Sequence, residues 1–112
     1  MKSEKLQEWQ DNLKKGTPIR ILYNHFELIG IFVSWKAYSW GNDDNNRGCD
    51  YMCIPYWGND DSSKIANCQK CGPYLDRILN GGDRRIRPLD EQWLSETDKK
   101  CLEILKNKIY EY

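Results

Sequence analysis

The sequence contains a single histidine, His25. A Ser-His-Asp or Cys-His arrangement would have to rest on that one imidazole, with no nucleophile elbow and no Gly-rich phosphate loop to go with it. Excess charge is also missing: 17 basic and 17 acidic residues cancel. A neutral balance argues against a protein built mainly to coat nucleic acid. No apolar run approaches the ~20 residues of a membrane span. Met1 to Gln10 is charged and amphipathic, so no secretory leader is expected there. These absences predict a non-enzymatic, cytoplasmic chain, and 112 residues suit one domain with a modest core.

What the chain does have is cysteine in pairs. Cys49 and Cys53 are separated by three residues; fourteen residues later come Cys68 and Cys71, followed by Gly72. Two close pairs joined by a short loop are the sequence form of a four-thiolate zinc site, which a small domain can use as a staple. Cys49, Cys53, Cys68 and Cys71 are therefore the expected ligands of a structural Zn2+. Four thiolates would fill every position, leaving none open for catalysis. His25 is the one residue able to replace a cysteine. Disulfides and reduced buried thiols are the alternatives, and zinc-type spacing favours a reducing compartment. Cys101, on the apolar face of a C-terminal helix, reads as a core residue instead.

Along the chain, residues 3–15 predict a helix. Ser3 is placed to cap it, Leu6, Trp9, Gln10 and Leu13 share one face, and Gly16 follows as a left-handed stop. Pro18 to Tyr23 then alternates, with Ile19 and Ile21 to one side and Arg20 to the other. Asn24-His25-Phe26 forms a turn, and Glu27 to Trp35 a longer strand in which Gly30 marks a bend or a close backbone approach. Over residues 5–35 this order of helix, short strand, turn and glycine-centred strand resembles the opening of Sm-like and other SH3-like small barrels. The resemblance implies a barrel-like fold. It does not carry over an RNA site, because Asp43, Asp44, Asn45 and Asn46 come too late for the positions an Sm protein uses.

An internal echo follows. Trp40-Gly-Asn-Asp-Asp recurs as Trp57-Gly-Asn-Asp-Asp, each after a strand-like run. Such residues favour turns, and neither copy has the alternating ligands and terminal Glu of a calcium loop. Residues 41–63 hold five Asp against one Arg. Trp40, Asp43, Asp44, Trp57, Asp60 and Asp61 are the candidate contact face for a basic protein surface. Pro73 to Asn80 predicts a two-turn helix, with a strand as the runner-up. Asp83 to Leu89 predicts a closing strand with the densest basic cluster, Arg84, Arg85 and Arg87, which fits either a charged edge strand or phosphate binding. Asp90 opens a turn holding Trp93 and Leu94, and Ser95 to Asp98 caps the last helix.

The expected fold class is α+β: a small antiparallel, partly barrel-like sheet flanked by N- and C-terminal helices, with the four-cysteine zinc site. One domain spans 1–112, divided into helix 3–15, sheet 17–57, zinc loop 49–73 and a strand and helix over 84–112. The Lys-, Asn- and Ile-rich chain resembles the small proteins of phages of low-GC bacteria, anti-CRISPR inhibitors among them. That resemblance implies a partner such as a CRISPR-type nuclease, bound in the host cytoplasm so that nucleic acid cannot load. The alternative is a nucleic-acid-binding zinc domain using Lys70, Arg84, Arg85 and Arg87, with exposed aromatics for stacking.

Overall fold

Alternating apolar residues make the central strands, and both faces of the resulting sheet are covered. The computed structural model describes residues 2–36, 47–54, 60–70, 76–80 and 85–110. Its elements are α1 (Lys2–Asp11), β1 (Pro18–Leu22), β2 (Glu27–Lys36), β3 (Gly48–Cys53), α2 (Asp61–Lys70), β4 (Asp76–Leu79), β5 (Ile86–Pro88), a 3-10 turn (Glu91–Trp93) and α3 (Glu96–Ile109). The fold is α+β, and the five strands form an antiparallel sheet in the order β4-β3-β2-β1-β5. The sheet is not closed, so the barrel-like expectation is corrected to an open sheet with β4 and β5 at its edges.

The first face packs Ile19, Ile21, Leu28, Phe32, Cys49, Tyr51, Ile78 and Ile86 together, with Trp9 and Leu13 packed against them. The second packs Ile31, Met52 and Ile54 against Cys68 of α2 and Cys101, Leu102, Leu105 and Ile109 of α3. Period-2 alternation sends neighbouring residues to opposite faces. In β2 the register shifts between Phe32 and Ser34. That irregularity changes the parity, so Trp35 joins Leu28 and Phe32 on the first face even though it is odd-numbered. There its indole N–H donates to Gln10 O at 3.0 Å, and the Arg47 guanidinium stacks 3.9 Å from its ring.

α1 is shorter than its apolar pattern predicts. It ends at Asp11, because the chain beyond it is taken up by the sheet: Gly16 N–H donates to Phe32 O and Phe32 N–H to Thr17 O, both at 2.9 Å. Gly16 does hold a positive φ of 96°, but as the corner into β1 rather than as a helix stop. Residues 76–79 form a strand, correcting the helix expected over 73–80. The apolar spacing of Leu75, Ile78 and Leu79 suits a helix, yet pairing with β3 wins, placing Asp76 opposite Tyr51 and Ile78 opposite Cys49. At the C-terminus the capping signals hold. Asp90 accepts from Gln92 N–H, Ser95 Oγ accepts from Asp98 N–H at 3.1 Å, and Cys101 is fully buried.

The two sheet edges meet through side chains. Asn80, just after β4, accepts from Ile86 N–H at 3.1 Å, and Gln10 donates from Nε2 to Ile86 O at 2.8 Å. Asn80 Nδ2 completes the triangle by donating to Gln10 Oε1 at 3.1 Å. Pro88 has no N–H, and its C=O accepts from Arg20 Nε at 2.9 Å. The end residues of β5 therefore have their backbone groups satisfied, which blunts an edge strand against further pairing.

Candidate functional site

Among the described residues the paired cysteines Cys49 and Cys53 lie apart from Cys68. Cys49 and Cys53 lie on β3, and with Tyr51 they face the α1 side of the sheet. Cys68 lies on α2 and packs on the opposite side, where it hydrogen-bonds Cys101. Four residues along an extended strand span about 13 Å, too far for Cys49 and Cys53 to share one ion. Within 49–73 the described residues belong to β3 and α2: Asp60 caps α2 by accepting from Ser63 N–H at 2.7 Å, Asp61 sits in the first turn and Lys70 in the last. Cys71 lies outside the described residues. Among the described residues no three His, Cys, Asp or Glu side chains are placed to hold a metal, and His25 is exposed in the β1–β2 turn. Burial also pushes the Cys49 thiol well above its ordinary range, with the Asp50 charge adding to the effect. The described residues therefore show no four-cysteine site, and the fourth expected ligand, Cys71, is not among them. Excess chelator is expected to leave the thermal midpoint unchanged; a fall of several degrees in a melting curve would reveal a stapling metal.

Sequence reasoning passed over Tyr51 and Asp76. Tyr51 is fully buried and donates from its hydroxyl to Asp76 Oδ2 at 2.9 Å, and the Tyr23 and Tyr51 hydroxyls are hydrogen-bonded to each other. This row links β3, β4 and the end of β1. Burial pushes both phenols up; for Tyr51 the bonds to Tyr23 and Asp76 push the same way. Phenols that stay protonated do not serve as bases at neutral pH, so the row acts as a staple. A raised folded pKa stabilises fully below the ordinary phenol range, near 10, and loses its effect as pH rises through and above it. Stability to urea is thus expected to hold from neutral pH to about 9 and then fall. A Tyr51→Phe variant should show a shallower alkaline decline, and an equal decline would remove the phenols as its cause.

The charged candidates scatter. Asp60 and Asp61 are exposed at the start of α2; Trp40, Asp43, Asp44 and Trp57 lie outside the described residues. Asp60 and Asp61 of the second copy are thus a helix cap and the first residue of α2. Arg87 stands opposite Arg20 on the edge strand β5, Arg85 lies just before that strand with its carbonyl accepting from Leu22 N–H at 2.9 Å, and Lys70 ends α2. Arg84 lies outside the described residues.

The feature that stands out is a groove of about 380 Å³ on the α3 side of the sheet, lined by Arg20, Glu27, Ile29, Pro88, Leu89, Asp90, Trp93 and Leu94. Ile29, Leu89 and Leu94 pack against the second core cluster and form its apolar floor. Arg20 is held by Glu27 at 3.5 Å and by Pro88 O. Trp93 is 80 % exposed, the most exposed of the large apolar side chains among the described residues. It stays out because the short 3-10 turn, fixed by Asp90, ends before α3 begins. The available signal was a lone Trp in a stretch with acids and no bases, between two caps.

Fold and groove together define a small α+β domain with a two-sided open sheet and an aromatic-lipped apolar cleft. No protein-family model matches the chain, and neither a curated protein nor a solved structure matches it. No helix among the described residues is long and apolar enough to cross a membrane.

Proposed function

We propose that this chain is a non-catalytic protein-binding domain that docks on a basic partner surface. The observation that carries the reading is Trp93, standing 80 % exposed at the lip of an apolar groove with Glu27 and Asp90 beside it. A large aromatic ring left in water next to apolar floor residues is the arrangement of an interface anchor. The acidic stretches with Trp40, Asp43, Asp44, Trp57, Asp60 and Asp61 extend the same chemistry, and a nucleic-acid enzyme such as a CRISPR-type nuclease offers the basic surface they suit. On that partner the domain would occupy the channel that nucleic acid needs.

The test measures binding to purified basic nucleic-acid enzymes, CRISPR-type nucleases among them, at low and moderate salt. Expected is a complex that excludes nucleic acid from the enzyme. Reversing Asp43, Asp44, Asp60 and Asp61 to Lys should slow association and flatten its salt dependence, because rim charges chiefly steer encounter. A gel shift with random-sequence DNA and RNA decides against the nucleic-acid alternative. Tight retention by the unmodified chain, lost in Arg85→Ala with Arg87→Ala, would overturn the protein-binding reading.

A further inference from the structure

We infer that the groove beside Trp93 receives one apolar side chain flanked by arginine or lysine, presented by an extended peptide segment of the partner. This rests on the protein-binding reading and names its ligand. Size is the first argument. A volume near 380 Å³ is at the small end of ligand pockets, about 300–1,000 Å³, so it accepts one or two side chains rather than a helix. The floor of Ile29, Leu89 and Leu94 makes the inserted group apolar.

Charge is the second argument. The lining has one base, Arg20, and it is engaged twice, by Glu27 and by the Pro88 carbonyl. Glu27 and Asp90 line the groove and Glu91 is the next residue along the chain, three acids against Arg20 and its strand neighbour Arg87. An anionic ligand would meet these carboxylates, whereas a cationic one is attracted to them. The face of Trp93 adds a cation–π acceptor at the lip, which an arginine beside the inserted residue can cover.

The third argument concerns the mode of binding. A peptide beside an edge strand often adds as a further strand. At β5 the backbone groups of Ile86 are taken by Asn80 and Gln10, Pro88 has no N–H, and its carbonyl is taken by Arg20. The ligand therefore binds by side-chain insertion, and recognition falls on its side chains.

The probes are capped hexapeptides with a central leucine between two arginines, the same peptides with glutamates in place of the arginines, and the same with serine in place of the leucine. The readout is the indole N–H signal of Trp93 in a proton–nitrogen NMR spectrum, assigned by its loss in Trp93→Phe. A saturable shift is expected with the Arg-Leu-Arg peptide, with binding about tenfold weaker for either altered peptide; for Trp93→Ala, which has no such signal, titration calorimetry should show the same tenfold loss. Glu27→Gln should weaken binding and reduce its salt dependence. Because Trp93 is so exposed, its replacement is expected to leave the melting curve unchanged, which a thermal scan verifies. Equal binding of all three peptides, no shift with any of them, or a larger shift with a random RNA oligonucleotide would overturn the inference. The two levels separate on the enzyme complex. If that complex survives Trp93→Ala but is lost when the four Asp residues become Lys, the domain binds protein without using this groove, and only the inference fails. If neither variant alters a complex, the broader reading fails too.

Discussion

Gly30→Ala is expected to destabilise the domain by more than about 3 kcal/mol, enough to leave it largely unfolded at modest temperature. Gly30 lies within β2, opposite Ile19 on one side and Cys53 on the other. A Cβ built there would lie 2.4 Å from the Met52 carbonyl oxygen, 2.9 Å from Ile21 Cδ1 and 3.2 Å from Cys53 Cα. Ile21 can turn its terminal methyl aside. The two backbone atoms of β3 cannot move without shifting the strand, and close-packed interiors resist such shifts. Relief would require separating the two most extensively paired strands of the sheet. A urea titration with a loss below about 1 kcal/mol would show that β3 slides more freely than its packing indicates.

Gln10→Leu should cost a similar amount by another route. Gln10 is fully buried, and its amide both donates to Ile86 O and accepts from Asn80 Nδ2. Leucine fits the volume but leaves a carbonyl and an amide N–H, both buried, without these partners. Each orphan costs about 1–3 kcal/mol, so the total is roughly 3. Hydrogen exchange at the Ile86 amide should accelerate, because the Asn80 side chain that accepts from it loses its own anchor. Combined with Asn80→Ala, the loss should fall short of the sum of the single losses, since both act on one triangle. Additive losses would mean that the contacts act separately.

Much of the architecture was legible because it rests on local signals. Ile19, Ile21 and Arg20 alternate as the sequence indicates, and Asp90 and Ser95 cap where their spacing puts them. Gly30 was marked by the absence of a side chain in a strand otherwise rich in them. The failures are non-local. Residues 76–79 have helical spacing but are made a strand by β3, a partner whose pairing nothing nearby announces. For the cysteines, the expected metal site needs a fourth ligand, Cys71, that lies outside the described residues. A helix capped by Asp60 carries Cys68, and the sheet stands between Cys49 and Cys68. The groove was hidden for a related reason: its wall joins β1, β2 and the approach to α3, which are far apart in sequence.

The buried triangle of Gln10, Asn80 and Ile86 also bears on the order in which the protein can be made. Translation delivers α1 first, yet the carbonyl that satisfies Gln10 belongs to Ile86, 76 positions later. A nascent chain halted before Ile86 holds β1 without its outer neighbour and Gln10 without its acceptor. The second face is worse off, since α3 supplies much of its cover. The hairpin of β1 and β2 can form early, but Gln10 of the first helix gains its acceptor only once Ile86 has left the ribosome. The first face is thus completed from Ile86 and the second from α3, both distant in sequence from the strands they cover.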